Sequence, residues 1–407
     1  MKKTEQWWRT WAAHRKYKGA HADVVERSLI TLKALTNRHT GGIVAAPTTS
    51  LPEKPGGQWN WDYRYCWVRD ATFILLGFIH GGYHEEARLW KDWLVHALAG
   101  SANQMQVVYG VNGERLLKEW SVDWLSGYRQ ASPVRVGNAA SEQLQLDIYG
   151  ELADVLHQAR VSAQTGAAHF DFQITLLHHL EKIWRQPDHG IWEVRNKKLQ
   201  FTHSKVMSWV AFDRTIRSAE RLGIKAPLER WRSIRQEIHD QVCTLGFNSR
   251  IGSFVQSYGS SEMDASLLLL PLVGFLPPND PRIVGTVRRI EKELIRGGLV
   301  MRHKSEKDKK SGETEGAFLP CSCWLVDYYE LAGRKKEAER LLNRVLKLKN
   351  DVGLLSEEYH VEKKRLVGNF PQALTHVAVV NSIINLYSTT GPAKQRSQEK
   401  DQKKQVL

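Results

Sequence analysis

Apolar residues recur every three to four positions along nearly the whole chain, which is the spacing of amphipathic α-helices. Helix-stopping glycines, such as Gly81, Gly82 and Gly333, separate several of these periodic segments. Alternation typical of strands is confined to short pieces, 106–111 and 190–194. The pattern therefore predicts an all-α chain with helices near residues 22–38, 69–82, 84–100, 138–161, 168–186, 203–223, 226–244, 262–273, 280–297, 317–333, 335–349 and 372–390.

Short and long connections alternate between these twelve predicted helices. The long connections occupy residues 39–68, 101–137, 187–202, 245–261, 298–316 and 350–371. Loops of this length without regular structure of their own are uncommon and usually functional. If six helical hairpins close into a barrel, the long loops meet at one end and can build an active-site pocket. A multi-helix solenoid is the alternative on pattern alone, although no repeat of fixed period supports it.

The formal charge of +14 raises nucleic acid or an acidic surface as a partner. However, residues 1–21 carry +5 and residues 393–407 carry +3, so more than half of the excess lies at the two ends. The charged stretch 303–312 is interpreted as a solvated loop. We expect no nucleic-acid partner. The chain is divided into a basic N-terminal segment (1–21), one helical domain (22–392) and a charged, disordered tail (393–407).

The four cysteines, Cys66, Cys243, Cys321 and Cys323, show neither a disulfide framework nor zinc-site spacing. They are interpreted as core thiols in a reducing compartment, so a cytoplasmic location is expected. The N-terminus lacks the apolar region of a secretory signal, and no apolar run reaches transmembrane length. No membrane partner is expected.

The long loops combine aromatic rings with charged side chains. The stretch GGQWNWDYRYCWVRDA, residues 56–71, has five rings beside arginines and aspartates. Sugars present apolar faces that stack on rings, and hydroxyls that need fixed donors and acceptors. The adjacent Arg69 and Asp70 can bind neighbouring hydroxyls while their charges compensate each other. This combination predicts a carbohydrate ligand.

Glycoside hydrolysis requires two carboxyl groups, a proton donor and an ionised base or nucleophile. Glu193 stands between Trp192 and Val194, apolar neighbours that would raise its pKa. Glu357 and Glu358 are consecutive, and in an extended segment only one of them faces the ligand. Taken singly, each glutamate is more often a solvated or capping residue. Their positions in separate long loops beside aromatic residues make them candidates.

Six motifs, in their order and spacing from about residue 20 to 392, resemble the glucoamylase family, family 15 of the glycoside hydrolases. The resemblance implies an (α/α)6 barrel, hydrolysis of α-glucosides from the non-reducing end with inversion, and no metal or organic cofactor. The motifs are NWDYRYCWVRDA (60–71), PDHGIWEVR (187–195), FTHSK (201–205), EGAFLPCSCWL (315–325), LLSEEY (354–359) and GNFPQALTH (368–376).

The resemblance also implies residue roles. Glu193 corresponds to the general acid. Glu357 corresponds to the general base, because the family's base precedes an acidic or amide residue and an aromatic one, here Glu358 and Tyr359. The residues implied to bind substrate are Tyr63, Trp67, Arg69, Asp70, Trp124, Arg129, Trp192, His203, Lys205, Glu315 and Glu358.

The expected substrate is a small oligosaccharide, a short α-1,6 or α-1,4 glucoside that releases β-glucose. Many relatives carry an N-terminal β-sandwich, whereas only residues 1–21 precede the first predicted helix, which argues against long polysaccharides. An α,α-trehalase of the same family is the alternative, and a catalytically inactive sugar-binding protein is a second. The preferred linkage and the oligomeric state stay open at this point.

Overall fold

The structure, a computed structural model, describes residues 1–100, 102–163, 166–195, 197–303 and 315–397. The described helices are α1 Lys2–Ala12, α2 Ala22–Ala34, α3 Ala71–Gly81, α4 His84–Ala97, α5 Asp147–Ala163, α6 Phe170–Ile183, α7 Thr202–Leu222, α8 Leu228–Leu245, α9 Leu269–Leu272, α10 Pro281–Leu294, α11 Leu319–Leu331, α12 Lys335–Leu346, α13 Ala373–Tyr387 and α14 Pro392–Ser397.

Six inner helices pack side by side in a closed ring: α3, α5, α7, α9 with the 3₁₀ turn before it, α11 and α13, the last of which returns to α3. The outer layer is formed by the helices that precede each inner helix in sequence, α2, α4, α6, α8, α10 and α12. The protein is therefore an (α/α)6 barrel, and the prediction from helical periodicity is confirmed.

Burial explains why the two layers differ in composition. Inner helix α13 is buried at every position from Ala373 to Leu386, so it is mostly apolar on all sides, and its polar residues His376, Asn381 and Asn385 are buried as well. Outer helix α10 buries one stripe, including Ile283, Val287 and Ile290, and exposes its charged face. The thiols of the inner layer are part of this core, because Cys321 and Cys323 are buried and free.

Short antiparallel strands occur in the connections between the helices, and β1 with β2 and β9 with β10 link different connections. β1 pairs with β2, β3 with β4, β5 with β6 and β7 with β8, while β10 lies between β9 and β11, all antiparallel. The strands are β1 Cys66–Trp67, β2 Val108–Tyr109, β3 Trp120–Ser121, β4 Arg135–Val136, β5 Phe247–Asn248, β6 Ser253–Phe254, β7 Ile295–Arg296, β8 Leu299–Val300, β9 Ala317–Phe318, β10 Glu358–His360 and β11 Arg365–Val367.

Two local predictions differ from the structure. The helix expected to start at residue 138 starts at Asp147, because residues 139–142 form a separate 3₁₀ turn. The strand expected at 190–194 is a turn, since Gly190 and Glu193 have φ values of 66° and 58°. Such left-handed conformations cannot continue an extended strand.

Both ends of the described chain contain helices. In the N-terminal segment, Trp11 of α1 stacks on Tyr83 with ring centroids 4.2 Å apart. Residues 393–397, expected as the start of a disordered tail, belong to α14, whereas 398–407 lie outside the described residues. The same holds for the predicted solvated loop at 303–312, apart from its first residue. No helix in the described ranges is long and apolar enough to cross a membrane.

A buried ion cluster anchors α14 inside the barrel. The Nε atoms of Arg214 and Arg396 lie 2.9 and 2.6 Å from the two carboxylate oxygens of Asp154, and all three side chains are buried. Burial acts to raise the pKa of Asp154, but the two guanidinium groups outweigh it and hold that pKa below its usual range. Asp154 is therefore an ionised group that joins α5, α7 and α14.

We predict that Asp154→Asn lowers the free energy of unfolding by about 3–5 kcal/mol, because two buried guanidinium groups lose the carboxylate they share. Urea denaturation of both proteins measures this difference. Asp92→Asn is the matched control, since Asp92 pairs with Arg88 on the exposed face of α4 and its loss should change little. Equal losses in the two variants would contradict the assigned role of the cluster.

Candidate active site

A cavity of about 340 Å³ opens at the end of the barrel that carries the long loops. This volume is within the range of small-molecule sites. The rings that line it are Trp59, Trp61, Tyr63, Trp192 and Phe318. The charged residues that line it are Glu53, Arg69, Glu193, Arg195, Arg302 and Glu315. Rings and paired charges in one cavity match the combination expected for a sugar site.

Glu193 sits in the third long loop in a left-handed backbone conformation, with φ of 58°. A non-glycine residue there is strained, and such strain persists only where the surroundings hold it. Here the backbone N–H of Glu193 donates to the carbonyl of Gly190 (3.1 Å), and the Gln143 amide donates to the carbonyl of Glu193 (3.1 Å). The turn thereby fixes the carboxyl group in the cavity wall.

Two donors bind the Glu193 carboxyl group at the same oxygen. The indole N–H of Trp67 donates to Oε1 at 2.6 Å, and Nη1 of Arg69 lies 3.2 Å from it. Burial raises the pKa of Glu193, and the charge of Arg69 and the bond from Trp67 offset only part of that rise. Glu193 thus keeps its proton to higher pH than an ordinary glutamate, as a general acid requires.

Glu357 lies fully buried in the sixth long loop. The hydroxyl of Tyr63 donates to its Oε1 at 2.6 Å, and the backbone N–H of Asn369 donates to Oε2 at 3.3 Å. A Cβ at Gly368, where φ is 76°, would lie 2.6 Å from Oε2, so the close approach requires glycine. Burial raises the pKa of Glu357, while Arg302 and the Tyr63 bond lower it in part.

The two carboxyl groups are brought together by neighbouring rings. The rings of Tyr63 and Trp67 meet edge to face, with centroids 5.2 Å apart, and each ring holds one carboxyl group. Besides burial, the charges of Glu357, Glu53 and Glu193 raise the pKa of Tyr63, so all three act on the same hydroxyl.

Arg69 and Asp70 form the pair expected from sequence. Nε of Arg69 lies 2.9 Å from Oδ1 of Asp70, and Nη1 also donates to the carbonyl of Ile191 at 3.3 Å. Both side chains are largely buried at the start of α3. Arg69 lines the cavity and is held by Asp70, so it presents fixed donors next to Glu193, which suits the hydroxyls of a sugar ring.

Arg302 gathers three carboxyl groups at another wall of the cavity. Its Nη2 lies 2.8 Å from Glu53 and 2.9 Å from Glu358, and it also contacts Glu315. Burial raises the pKa of Glu53 to about 8 and that of Glu358 well above the usual range. The three oxygens lie within 4.8 Å of one another, as cation ligands do. However, the guanidinium group already contacts each of them and supplies the compensating charge.

Two of these residues were missed by the sequence reasoning. Arg302 borders the charged stretch 303–312, and Glu53 lies alone in a loop. No local pattern connects Glu53 with Arg302, because 249 positions separate them. The two were therefore found only through the folded contacts.

Of three further residues predicted to bind substrate, Trp192 lines the cavity, whereas His203 and Lys205 do not. Trp192 lines it and donates its indole N–H to Asp264 at 2.9 Å. His203 is buried nearby but does not line it, and burial lowers its pKa to about 4. Lys205 is buried as well, and its Nζ donates to the carbonyls of Trp184 and Gln186 at 2.6 Å. Lys205 therefore holds the start of the third loop.

Trp124 and Arg129 are not brought into the cavity. Both lie in the loop between β3 and β4, and the Trp124 side chain is 76% exposed. The backbone of Arg129 is left-handed, with φ of 55°, so this loop turns at that point. The path of such a long loop depends on tertiary contacts that a motif match does not contain.

The comparisons with known proteins show the family of this chain. The model of the family described as glycosyl hydrolases family 15 matches residues 19–384. The trehalase of Thermoplasma volcanium is 40% identical over 381 residues, which are 93% of this chain and 61% of that protein. The trehalase of Mycobacterium tuberculosis is 44% identical over 368 residues, 89% of this chain and 54% of that protein. The chain thus spans about half to two thirds of these relatives.

A solved structure shares the fold at low sequence identity. A bacterial glucoamylase complexed with acarbose superposes with a TM-score of 0.70 at 14% identity, covering 89% of this chain and 55% of that one. The superposition shows that the two proteins share the barrel fold. Since the family model spans nearly the whole barrel, the chain belongs to glycosyl hydrolase family 15.

Proposed function

We propose that the protein is an inverting α,α-trehalase. The observation that carries the chemistry is the pair Glu193 and Glu357, a partly buried and a fully buried carboxyl group held by the adjoining rings of Trp67 and Tyr63. The names of the relatives support trehalose as the substrate. Sequence reasoning placed short α-1,4 or α-1,6 glucosides first and trehalase second, and the relatives favour the second.

In the proposed reaction, Arg69 and Asp70 hold the hydroxyls of the innermost glucose. Glu193 donates its proton to the glycosidic oxygen, and the bond from that oxygen to C1 breaks. Glu357 takes a proton from the water that attacks C1 from the opposite face. The attacked glucose leaves as the β-anomer, while the other glucose keeps its α-configuration.

The charges around the two carboxyl groups suit this exchange of a proton. Glu193 becomes a carboxylate when it donates, and Arg69, 3.2 Å away, then stabilises the negative charge. Glu357 is ionised before the reaction, and the Tyr63 hydroxyl stabilises that form. For an inverting enzyme we expect the two carboxyl groups to lie roughly 6.5–9.5 Å apart, leaving room for the water.

We predict that trehalose yields one α-glucose and one β-glucose per molecule at early times. Inversion at the attacked C1, with the other anomeric centre untouched, requires this ratio. A proton NMR time course with trehalose measures it. Maltose and isomaltose are the matched substrates, and faster release of β-glucose from either would return the assignment to a glucoamylase-like α-glucosidase. Binding of all three without turnover would select a non-catalytic sugar-binding protein.

Glu193→Gln should lower kcat by about 10²- to 10⁴-fold, because the general acid is lost.

The wild-type profile of kcat/KM against pH should be bell-shaped. Activity requires ionised Glu357 and protonated Glu193. Because the pKa values of both groups are raised, the midpoints of both limbs should lie at higher pH than the usual pKa of a glutamate. Glu193→Gln should lose the alkaline limb. The control is Glu229→Gln on the exposed face of α8, and unchanged turnover in Glu193→Gln would remove Glu193 from the mechanism.

Tyr63→Phe should move the acidic limb of kcat/KM to higher pH. The hydroxyl bond from Tyr63 favours the ionised form of Glu357, so its loss raises the pKa of the base. Rates measured over pH on trehalose test this shift. Tyr329→Phe is the matched control, because it removes a similar bond to Glu291 (2.7 Å) outside the cavity lining. An acidic limb that stays in place would show that another group sets it.

A further inference from the structure

A stacked group of side chains stands beside the candidate acid. The guanidinium carbons of Arg195 and Arg135 lie 4.2 and 4.5 Å from the ring centroid of Trp61. Arg195 donates two hydrogen bonds to Glu119, at 2.8 and 2.6 Å, and Nε of Arg135 lies 3.3 Å from the same carboxylate. The mechanism proposed above uses none of these residues.

Arg195 occupies the solvent side of Glu193 in the cavity wall. The side chain of Arg69 is 14% exposed, that of Glu193 22% and that of Arg195 39%. Arg69, Glu193 and Arg195 all line the cavity, and we take the rise in their exposure as the direction from its depth toward the solvent. The acid must meet the glycosidic oxygen. The attacked glucose therefore lies on the Arg69 side, and the departing sugar lies on the Arg195 side.

The group is braced from three loops. Nη1 of Arg135 donates to the carbonyls of Gln58 and Asn60 at 3.0 and 2.8 Å, and Glu119 accepts a bond from the backbone N–H of Ala139 at 3.2 Å. These bonds connect the first and second long loops, and the bonds between Arg195 and Glu119 add the third. A guanidinium group held in this way loses little conformational freedom when a ligand binds.

The chemistry of the group suits a neutral polyol. A guanidinium group has five N–H donors, and Glu119 accepts from two of them among the described residues. Other donors remain for sugar hydroxyls, while the Glu119 carboxylate offsets the positive charge that an anionic ligand would need. The ring of Trp61 adds an apolar surface next to these donors.

We propose that Arg195, positioned by Glu119 on the ring of Trp61, binds the departing glucose of the disaccharide. This inference rests on the proposed function. All α-glucosides share the attacked glucose and differ only in the second sugar and its linkage. A residue that discriminates between disaccharides must therefore act on the departing side, where the structure places Arg195.

The test compares Arg195→Ala with wild type on two substrates, trehalose and α-D-glucosyl fluoride. The fluoride places no second sugar in the cavity, and its C–F bond breaks without a proton donor. We expect kcat/KM for trehalose to fall about 10- to 100-fold, the effect of losing hydrogen bonds to a charged group. The rate of fluoride release, measured with an ion-selective electrode, should stay unchanged within error. Equal losses on both substrates, or no loss on trehalose, would overturn the proposal.

Measurements over pH separate binding from a purely electrostatic effect. The charge of Arg195 also lowers the pKa of Glu193. If that were its whole role, Arg195→Ala would only move the alkaline limb to higher pH and keep the maximum of kcat/KM, which would overturn the proposal. A contact with the departing sugar predicts a lower maximum of kcat/KM for trehalose, whatever the shift of the alkaline limb.

The matched control is Arg185→Ala. Arg185 lies 4.3 Å from the ring centroid of Trp184 and pairs with Glu237, so it repeats the local interactions of Arg195 outside the cavity lining. It should leave both rates unchanged, and thermal unfolding of both variants checks that each is folded. A loss on trehalose equal to that of Arg195→Ala would contradict a specific role for Arg195.

The same experiment distinguishes failure of this inference from failure of the trehalase assignment. If wild type hydrolyses maltose or isomaltose instead of trehalose, the trehalase assignment fails alone, and the preferred disaccharide replaces trehalose in the comparison. If wild type releases fluoride but cleaves no disaccharide, Arg195 has no departing glucose to bind and the inference fails as well.

Discussion

Both candidate catalytic groups depend on hydrogen bonds from one short segment, residues 63–67. Its first residue, Tyr63, donates to Glu357, and its last, Trp67, donates to Glu193, both at 2.6 Å. The two rings touch, and Trp67 belongs to a strand that pairs with the second long loop. The proposed inverting reaction requires a fixed spacing between acid and base, and this segment would set that spacing.

Charge compensation allows many carboxyl groups to lie together at the end of the barrel that carries the cavity. Burying an ionised carboxylate without a partner is costly, and the structure meets this cost with arginines. Arg69 pairs with Asp70 and Glu193. Arg302 pairs with Glu53, Glu315 and Glu358. The compensation is incomplete at Glu193, whose pKa remains raised. A site that holds one proton in this way is prepared for acid catalysis.

Local pattern predicted much of the architecture but failed where loops turn. One-sided burial of outer helices such as α10 leaves a helical period in the sequence, whereas inner helices such as α13 are buried on all sides. At residues 190–194 the alternation of residue types suggested a strand, whereas two left-handed residues make a turn. For Trp124 and Arg129, a motif match gave no information on the path of the loop, which leaves Trp124 exposed.

The sequence by itself determined the helices, their order, the alternation of short and long connections, and the motif that carries Arg69 and Asp70. These features are local, since they rest on periodicity and on neighbouring residues. Only the tertiary structure decided which loop residues meet. Tyr63 and Glu357 are 294 positions apart, and Glu119 and Arg195 are 76 apart. Contacts at such separations arise when the ring of inner helices closes and brings the long loops to one end.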